Sequence, residues 1–162
     1  MSKLLPSSFV SLAEALEITT AWRNSGLRIV FTNGCFDLLH PGHIDYLQRA
    51  RALGDVLIIG LNDDESVRLL KGPLRPINPM ADRACMLAAL ACVDLVVPFS
   101  EKTPIKLISA ILPDILVKGG DYQPGEIVGA KEVRANGGEV IVMPFIGGYS
   151  SSSLIQRIVD TH

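Results

Sequence analysis

Between Arg28 and Ala52 the chain reads RIVFTNGCFDLLHPGHIDYLQRARA, and no other stretch constrains the fold as much. Arg28 to Thr32 is a short, β-branched apolar run of the kind that forms a strand buried on both faces. Asn33-Gly34 breaks that run, Pro41 stands where a first helical residue needs no N–H, and Ile44, Leu47, Ala50 and Leu53 recur at helical spacing up to Gly54. The unit is strand, glycine-containing loop, helix. Such a loop brings unpaired backbone N–H groups and the positive end of a helix dipole to the carboxyl edge of a sheet, where an anion can sit. His40 and His43 flank Pro-Gly at that helix start, and imidazole N–H groups are good donors to phosphate oxygens. Phosphate binding ranks first for the pair, a structural role second and metal ligation third. There is no HExxH pattern, and the only other histidine is the terminal His162.

The rest of the chain repeats the alternation. Ser11 and Glu14 form a capping box that opens an N-terminal helical extension at about residues 8–25. Apolar strands are expected at Asp55 to Gly60, Asp94 to Phe99, Asp114 to Val117 and Glu139 to Met143. Between them stand helices at Glu65 to Leu70, from Asn78-Pro79 (Asn78 as cap) through Leu90, at Ile105 to Leu112 behind a Thr103-Pro104 cap, and at Glu126 to Asn136. A last helix runs from about Leu154 to Val159 behind the serine run Ser150 to Ser153. The Pro/Gly-rich stretch KGPLRPINPMADR, carrying Lys71, Arg75 and Arg83, reads as a mobile loop. This order predicts an α/β fold in which a five-stranded parallel sheet carries helices on both faces, within a single domain over residues 1–162.

In such a sheet the loops that follow strands gather at one edge. That edge would hold TNGCFDLLHPGH, Asn62, KGGDY and GGYSSSS, with the cations nearby. It has many donors and no nucleophile paired with a base. Cys35 lacks a Cys-His-Asn set, and neither a Walker loop nor a G-x-G-x-x-G fingerprint occurs. Kinase and dehydrogenase chemistry therefore lose support. Nucleotidyl transfer fits better, because an ionised phosphate needs little deprotonation and the site has only to align two anions and stabilise developing charge. A net charge of −2 gives no basic field for nucleic acid. Three cysteines, an odd number without paired spacing, favour reduced thiols in the cytoplasm, and no apolar run is long enough to span a membrane.

GCFDLLHPGH resembles the GxFDxxHxGH signature of the cytidylyltransferase-like nucleotidyltransferases, which share a Rossmann-like, HIGH-type fold. Taken with KGPLRPINPMADR, ILPDILVKGGDY and KEVRANGGEV, the chain is similar from about Leu27 to Ile158 to the heptose 1-phosphate adenylyltransferases of lipopolysaccharide core synthesis. The resemblance implies adenylyl transfer from ATP to a sugar 1-phosphate, with Mg²⁺ carried by the ATP. It implies that His40, His43, Lys71 and Arg83 grip phosphates and the transition state. Thr32, Asn33, Gly34, Cys35, Phe36, Asn62, Gly120, Ser151 and Ser152 would line the nucleotide site. Arg75, Lys118, Asp121 and Tyr122 would face the sugar phosphate, with Asp37 beside them and orienting the loop. The family's Ser-Thr-Thr before the last helix is all serine here, so the hydroxyls survive. The resemblance further implies a homodimer and a stand-alone enzyme whose substrate comes from a separate heptose 7-phosphate kinase. Glycerol 3-phosphate cytidylyl transfer, a nucleotide sensor and a fragment resembling a class I aminoacyl-tRNA synthetase are the alternatives.

Overall fold

The computed structural model describes residues 6–120, 122–123 and 125–161. Its strands are β1 Ile29–Gly34, β2 Val56–Asn62, β3 Leu95–Phe99, β4 Ile115–Gly119 and β5 Glu139–Met143. All are parallel, in the order β3-β2-β1-β4-β5. The helices are α1 Leu12–Asn24, α2 Pro41–Arg51, α3 Asp64–Lys71, α4 Met80–Ala88, α5 Ile105–Ile111, α6 Ala130–Ala135 and α7 Ser151–Asp160.

The strands read as unbroken apolar runs because both sheet faces are covered. Ile29, Phe31, Ile58, Val97 and Leu116 pack on one face with Ala15 of α1, Ile108 of α5 and Val133 of α6. Val30, Leu57, Ile59, Leu61 and Val117 pack on the other with Tyr46 and Leu47 of α2 and Ala84 and Leu87 of α4. The expected capping box is present. Glu14 Oε2 accepts from the Ser11 N–H at 2.7 Å while the Glu14 N–H donates to Ser11 Oγ at 3.3 Å.

Three local expectations are corrected. The helix expected over 126–136 is only the six residues of α6, because Gly129 sits at φ +83° with its would-be Cβ 2.7 Å from Ile108 Cγ2. Asn78 does not cap α4. Its amide donates to the Asp37 carbonyl at 2.8 Å, and Asp64 takes over by accepting from the Met80 N–H at 2.8 Å. Thr103 likewise gives α5 no cap hydrogen bond. The chain lays β1, β2 and β3 outward in one direction, then crosses back to place β4 on the other side of β1. The order reverses between β1 and β4, and the crevice over that point is where open α/β sheets bind ligands.

Candidate active site

The reversal point opens into a cavity of about 680 Å³, within the range of small-ligand sites. Its centre is the start of α2. His40 is the N-cap, in extended backbone at φ −145°, and its Nδ1 accepts from the His43 N–H at 3.3 Å. That bond makes Nδ1 the acceptor and leaves Nε2–H as a donor. The two imidazoles stack with centroids 3.8 Å apart and planes 16° off parallel. Phe36 meets His43 edge-on at 5.2 Å. The glycine of HPGH is dictated by this packing, since a Cβ on Gly42 would lie 3.0 Å from Tyr149 Cβ and 3.1 Å from His40 Nδ1. Burial first, and the neighbouring His40 ring second, push the pKa of His43 down to about 4, with the Leu38 carbonyl opposing. Burial also lowers His40. Both imidazoles are therefore neutral at pH 7, and an arriving phosphate would raise both pKa values.

The start of α7 meets this pair. Ser150 caps that helix by accepting from the Ser153 N–H at 2.9 Å, so the helix begins at Ser151 rather than near Leu154. Ser151 Oγ donates to the Leu38 carbonyl at 2.9 Å, and Tyr149 stacks near His40 at 6.1 Å. Ser151 and Ser152 both line the cavity.

Asn33, Gly34, Cys35 and Phe36 line it from the loop after β1, and Asn62 from the end of β2. Lys71 and Arg75 reach it from α3 and the following loop, Lys118 and Tyr122 from the end of β4. The Lys118 ammonium sits 5.5 Å from the Tyr122 ring centroid, and burial lowers its pKa. Burial raises the Cys35 thiol despite Lys71, Arg83 and Arg75, which keeps it protonated and disfavours it as a nucleophile.

Three expected site residues are placed outside the cavity lining, and a fourth, Asp37, lines it with its oxygens already engaged. Arg83 is fully buried on α4 and does not face the cavity. Its guanidinium donates to the carbonyls of Asn78 (2.9 Å), Cys35 (2.7 Å) and Asn62 (2.8 Å) and to Asp64 Oδ1 (2.8 Å). Asp37 borders the cavity, yet it is 1% exposed and accepts from the Ile77 and Asn78 N–H groups and from Arg75 Nε at 2.6 Å. Burial alone would raise its pKa, and these donors outweigh that and hold the carboxyl below its usual range. Its oxygens are thus committed to the 75–78 segment, which they tie down. Thr32 is buried at 2.7 Å from the Tyr46 hydroxyl. Gly120, at φ +107°, turns the chain and donates to the Met143 carbonyl, outside the lining. Asp121 lies outside the described residues, as does His162.

Sequence reasoning missed Lys102 and Thr103, which line the cavity from the β3–α5 loop, and the aromatic rings of Phe145 and Tyr149. The first pair lies on a loop that follows a strand, as the loops after β1, β4 and β5 do, so the rule that found those covers it too. Phe145 packs over Gly119, where a Cβ would stand 2.3 Å from the ring.

Among the described residues no three His, Cys, Asp or Glu side chains group to hold a metal. The lining is rich in donors, which suits a divalent ion brought on a nucleotide's phosphates rather than one held by the chain. Again among the described residues, no helix is long and apolar enough to cross a membrane.

A family model described as cytidylyltransferase-like matches residues 31–157. The chain belongs to the cytidylyltransferase-like family. It is 52% identical over 152 residues to the bifunctional protein HldE of Azorhizobium caulinodans, covering 94% of this chain and 32% of that protein. To the HldE of Haemophilus influenzae it is 55% identical over 149 residues, covering 92% and 31%. To that of Actinobacillus succinogenes it is 58% identical over 138 residues, covering 85% and 29%. The chain thus spans about a third of the length of these relatives. Among solved structures, a lipopolysaccharide core biosynthesis protein from Thermoplasma volcanium is 27% identical with a TM-score of 0.62, over 77% of this chain and all of that one. The matched region includes the paired histidines, Lys71 and the α7 serines.

Proposed function

We propose that this member of the family is an adenylyltransferase that moves AMP from ATP to D-glycero-D-manno-heptose 1-phosphate, giving ADP-heptose and pyrophosphate for lipopolysaccharide core synthesis. The observation that carries it is the stacked His40/His43 pair at a helix start over the sheet's reversal point, in a chain more than half identical to HldE proteins. The sugar phosphate oxygen bonds to the α-phosphorus as the bond from that phosphorus to the pyrophosphate oxygen breaks. The nucleophile is already ionised, so no residue has to take its proton. His40 and His43 donate to the phosphate oxygens from their ring N–H groups, gaining strength as charge builds. Lys71 grips phosphate oxygens around the reacting phosphorus, Ser152 offers a hydroxyl, and Ser151 and Ser152 both offer backbone donors at the amino end of α7. Asn33, Gly34, Cys35, Phe36 and Asn62 line the nucleotide's path, while Arg75, Lys118 and Tyr122 face the sugar of the sugar phosphate. Thr32, Asp37, Gly120 and Arg83 hold that frame in place, and Asp121 belongs with the sugar side. Mg²⁺ riding on ATP supplies further charge neutralisation when bound. The enzyme works in the cytoplasm as a homodimer, in functional link with a heptose 7-phosphate kinase, as the word bifunctional in the relatives' name suggests.

Pyrophosphate release with ATP or CTP, against heptose 1-phosphate, other sugar 1-phosphates and glycerol 3-phosphate, tests this. Turnover is expected with ATP and the heptose. Preference for CTP and glycerol 3-phosphate would overturn it.

A further inference from the structure

The reaction proposed above needs two anions on opposite sides of one phosphorus, and only one of the two sites is accounted for by the histidines and serines. Those groups cluster where α2 and α7 meet, joined by Ser151 and the Leu38 carbonyl. On the other side of β1, Asn62 pairs in register with Phe99, so the loop after β3 emerges beside the end of β2 and the start of α3. The Asp63 N–H donates to the Phe99 carbonyl at 3.0 Å and fastens the two. From that loop Lys102 and Thr103 line the cavity, as Lys71 does from α3.

Among the described residues, neither lysine ammonium group nor the Thr103 hydroxyl has a hydrogen-bond or ion-pair partner. The neighbouring charges are spent: Glu101 pairs with Lys106 at 3.2 Å, Asp64 with Arg83 and Asp37 with Arg75. The one other cavity carboxylate, Glu126, sits on the segment that packs against α5 through Gly129 and Ile108, and is suited to accept from sugar hydroxyls. A chain that satisfies Arg83 with four bonds leaves two cations and a hydroxyl unpaired in the same cavity.

We propose that Lys102 and Thr103 of the β3–α5 loop, with Lys71, form the subsite that binds the acceptor's phosphate. This rests on the adenylyl-transfer reading for the identity of the acceptor. The phosphate enters from the β2–β3 side, takes charge-assisted bonds from both lysines and the threonine hydroxyl, and faces the α-phosphorus held under the histidines.

The test uses the full chain and two readouts. In steady-state assays, Lys102→Ala and Thr103→Val are each expected to raise KM for heptose 1-phosphate about ten-fold or more, with KM for ATP within two-fold, the scale of one lost hydrogen bond to a charged group. Lys106→Ala, outside the cavity, should change neither. In calorimetry, heptose 1-phosphate titrated onto protein saturated with a non-hydrolysable ATP analogue should bind, and should bind about ten-fold more weakly to both variants. Binding that the variants weaken, without turnover in the wild type, keeps the subsite and defeats the catalytic reading. A rise in KM for ATP instead, equal affinity in all three proteins, or no binding to the wild type overturns the subsite.

Discussion

Arg83 and Lys71 come from one basic stretch of sequence, yet the structure uses them in opposite ways. The first belongs to a buried hub in which Asp37, Arg75, Asp64 and Arg83 satisfy one another and the loop carbonyls around them. The second belongs to an open rim where Lys71, His40, His43 and the α7 serines line the cavity. A buried cation with four hydrogen bonds in place cannot lend charge to a ligand without leaving buried carbonyls unpaired, whereas a cation at a cavity mouth has nothing else to do. Residue type is shared between hub and rim, and burial divides them.

The comparison can be broken from the hub side first. Arg83→Met should cost about 3–5 kcal/mol of stability by urea unfolding, since it removes the cation paired with Asp64 and leaves three carbonyls unpaired together. Arg83→Lys should recover little, because an ammonium cannot reproduce the guanidinium fork. Full stability in Arg83→Met with lost turnover would return this residue to the rim. Next, His43→Ala should slow turnover a few hundred-fold or more, the scale of one preorganised transition-state donor, while the urea midpoint stays near that of the wild type. Third, Asp37→Asn should lower stability by about 1–3 kcal/mol by unpairing Arg75 and weakening the 75–78 anchor, with turnover falling only in proportion to folded protein. A specific rise in KM for the sugar phosphate would instead make Asp37 a ligand contact.

The smallest effect is on pH. His43 falls from 6.5 to about 4 on folding, so the unfolded chain takes up its proton first as pH drops. Stability is therefore expected to decline from about pH 6.5 toward about pH 4, by roughly 1–2 kcal/mol once partial exposure is discounted. In His43→Asn, urea midpoints across that window should be flatter. An unchanged slope would show that the ring is solvated.

Much of this architecture was legible from periodicity alone. Strands buried on both faces read as unbroken apolar runs, and Ser11 with Glu14 announces α1 through purely local bonds. Contacts between distant segments were not legible. Arg83 finds its carbonyl partners at Cys35 and Asn62, and Gly129 is shaped by Ile108, none of which neighbours it in sequence. Asn78 carried the signature of a cap, but Asp37 engaged it and Asp64 supplied the cap from another helix. The gathering of loops at one edge followed from a parallel sheet. Lys102 escapes notice and Thr103 reads only as a helix cap, because no histidine or glycine pair marks their loop as part of the site.

Formation of ADP-heptose from ATP and heptose 1-phosphate, compared between the wild type and a His40→Ala/His43→Ala double variant of matched unfolding midpoint, tests the central claim most directly. The account predicts rapid product formation in the first, with one pyrophosphate per ADP-heptose, and a loss of at least a few hundred-fold in the second. Comparable rates in the two proteins would show that the stacked imidazoles are scaffold and that the chemistry lies elsewhere.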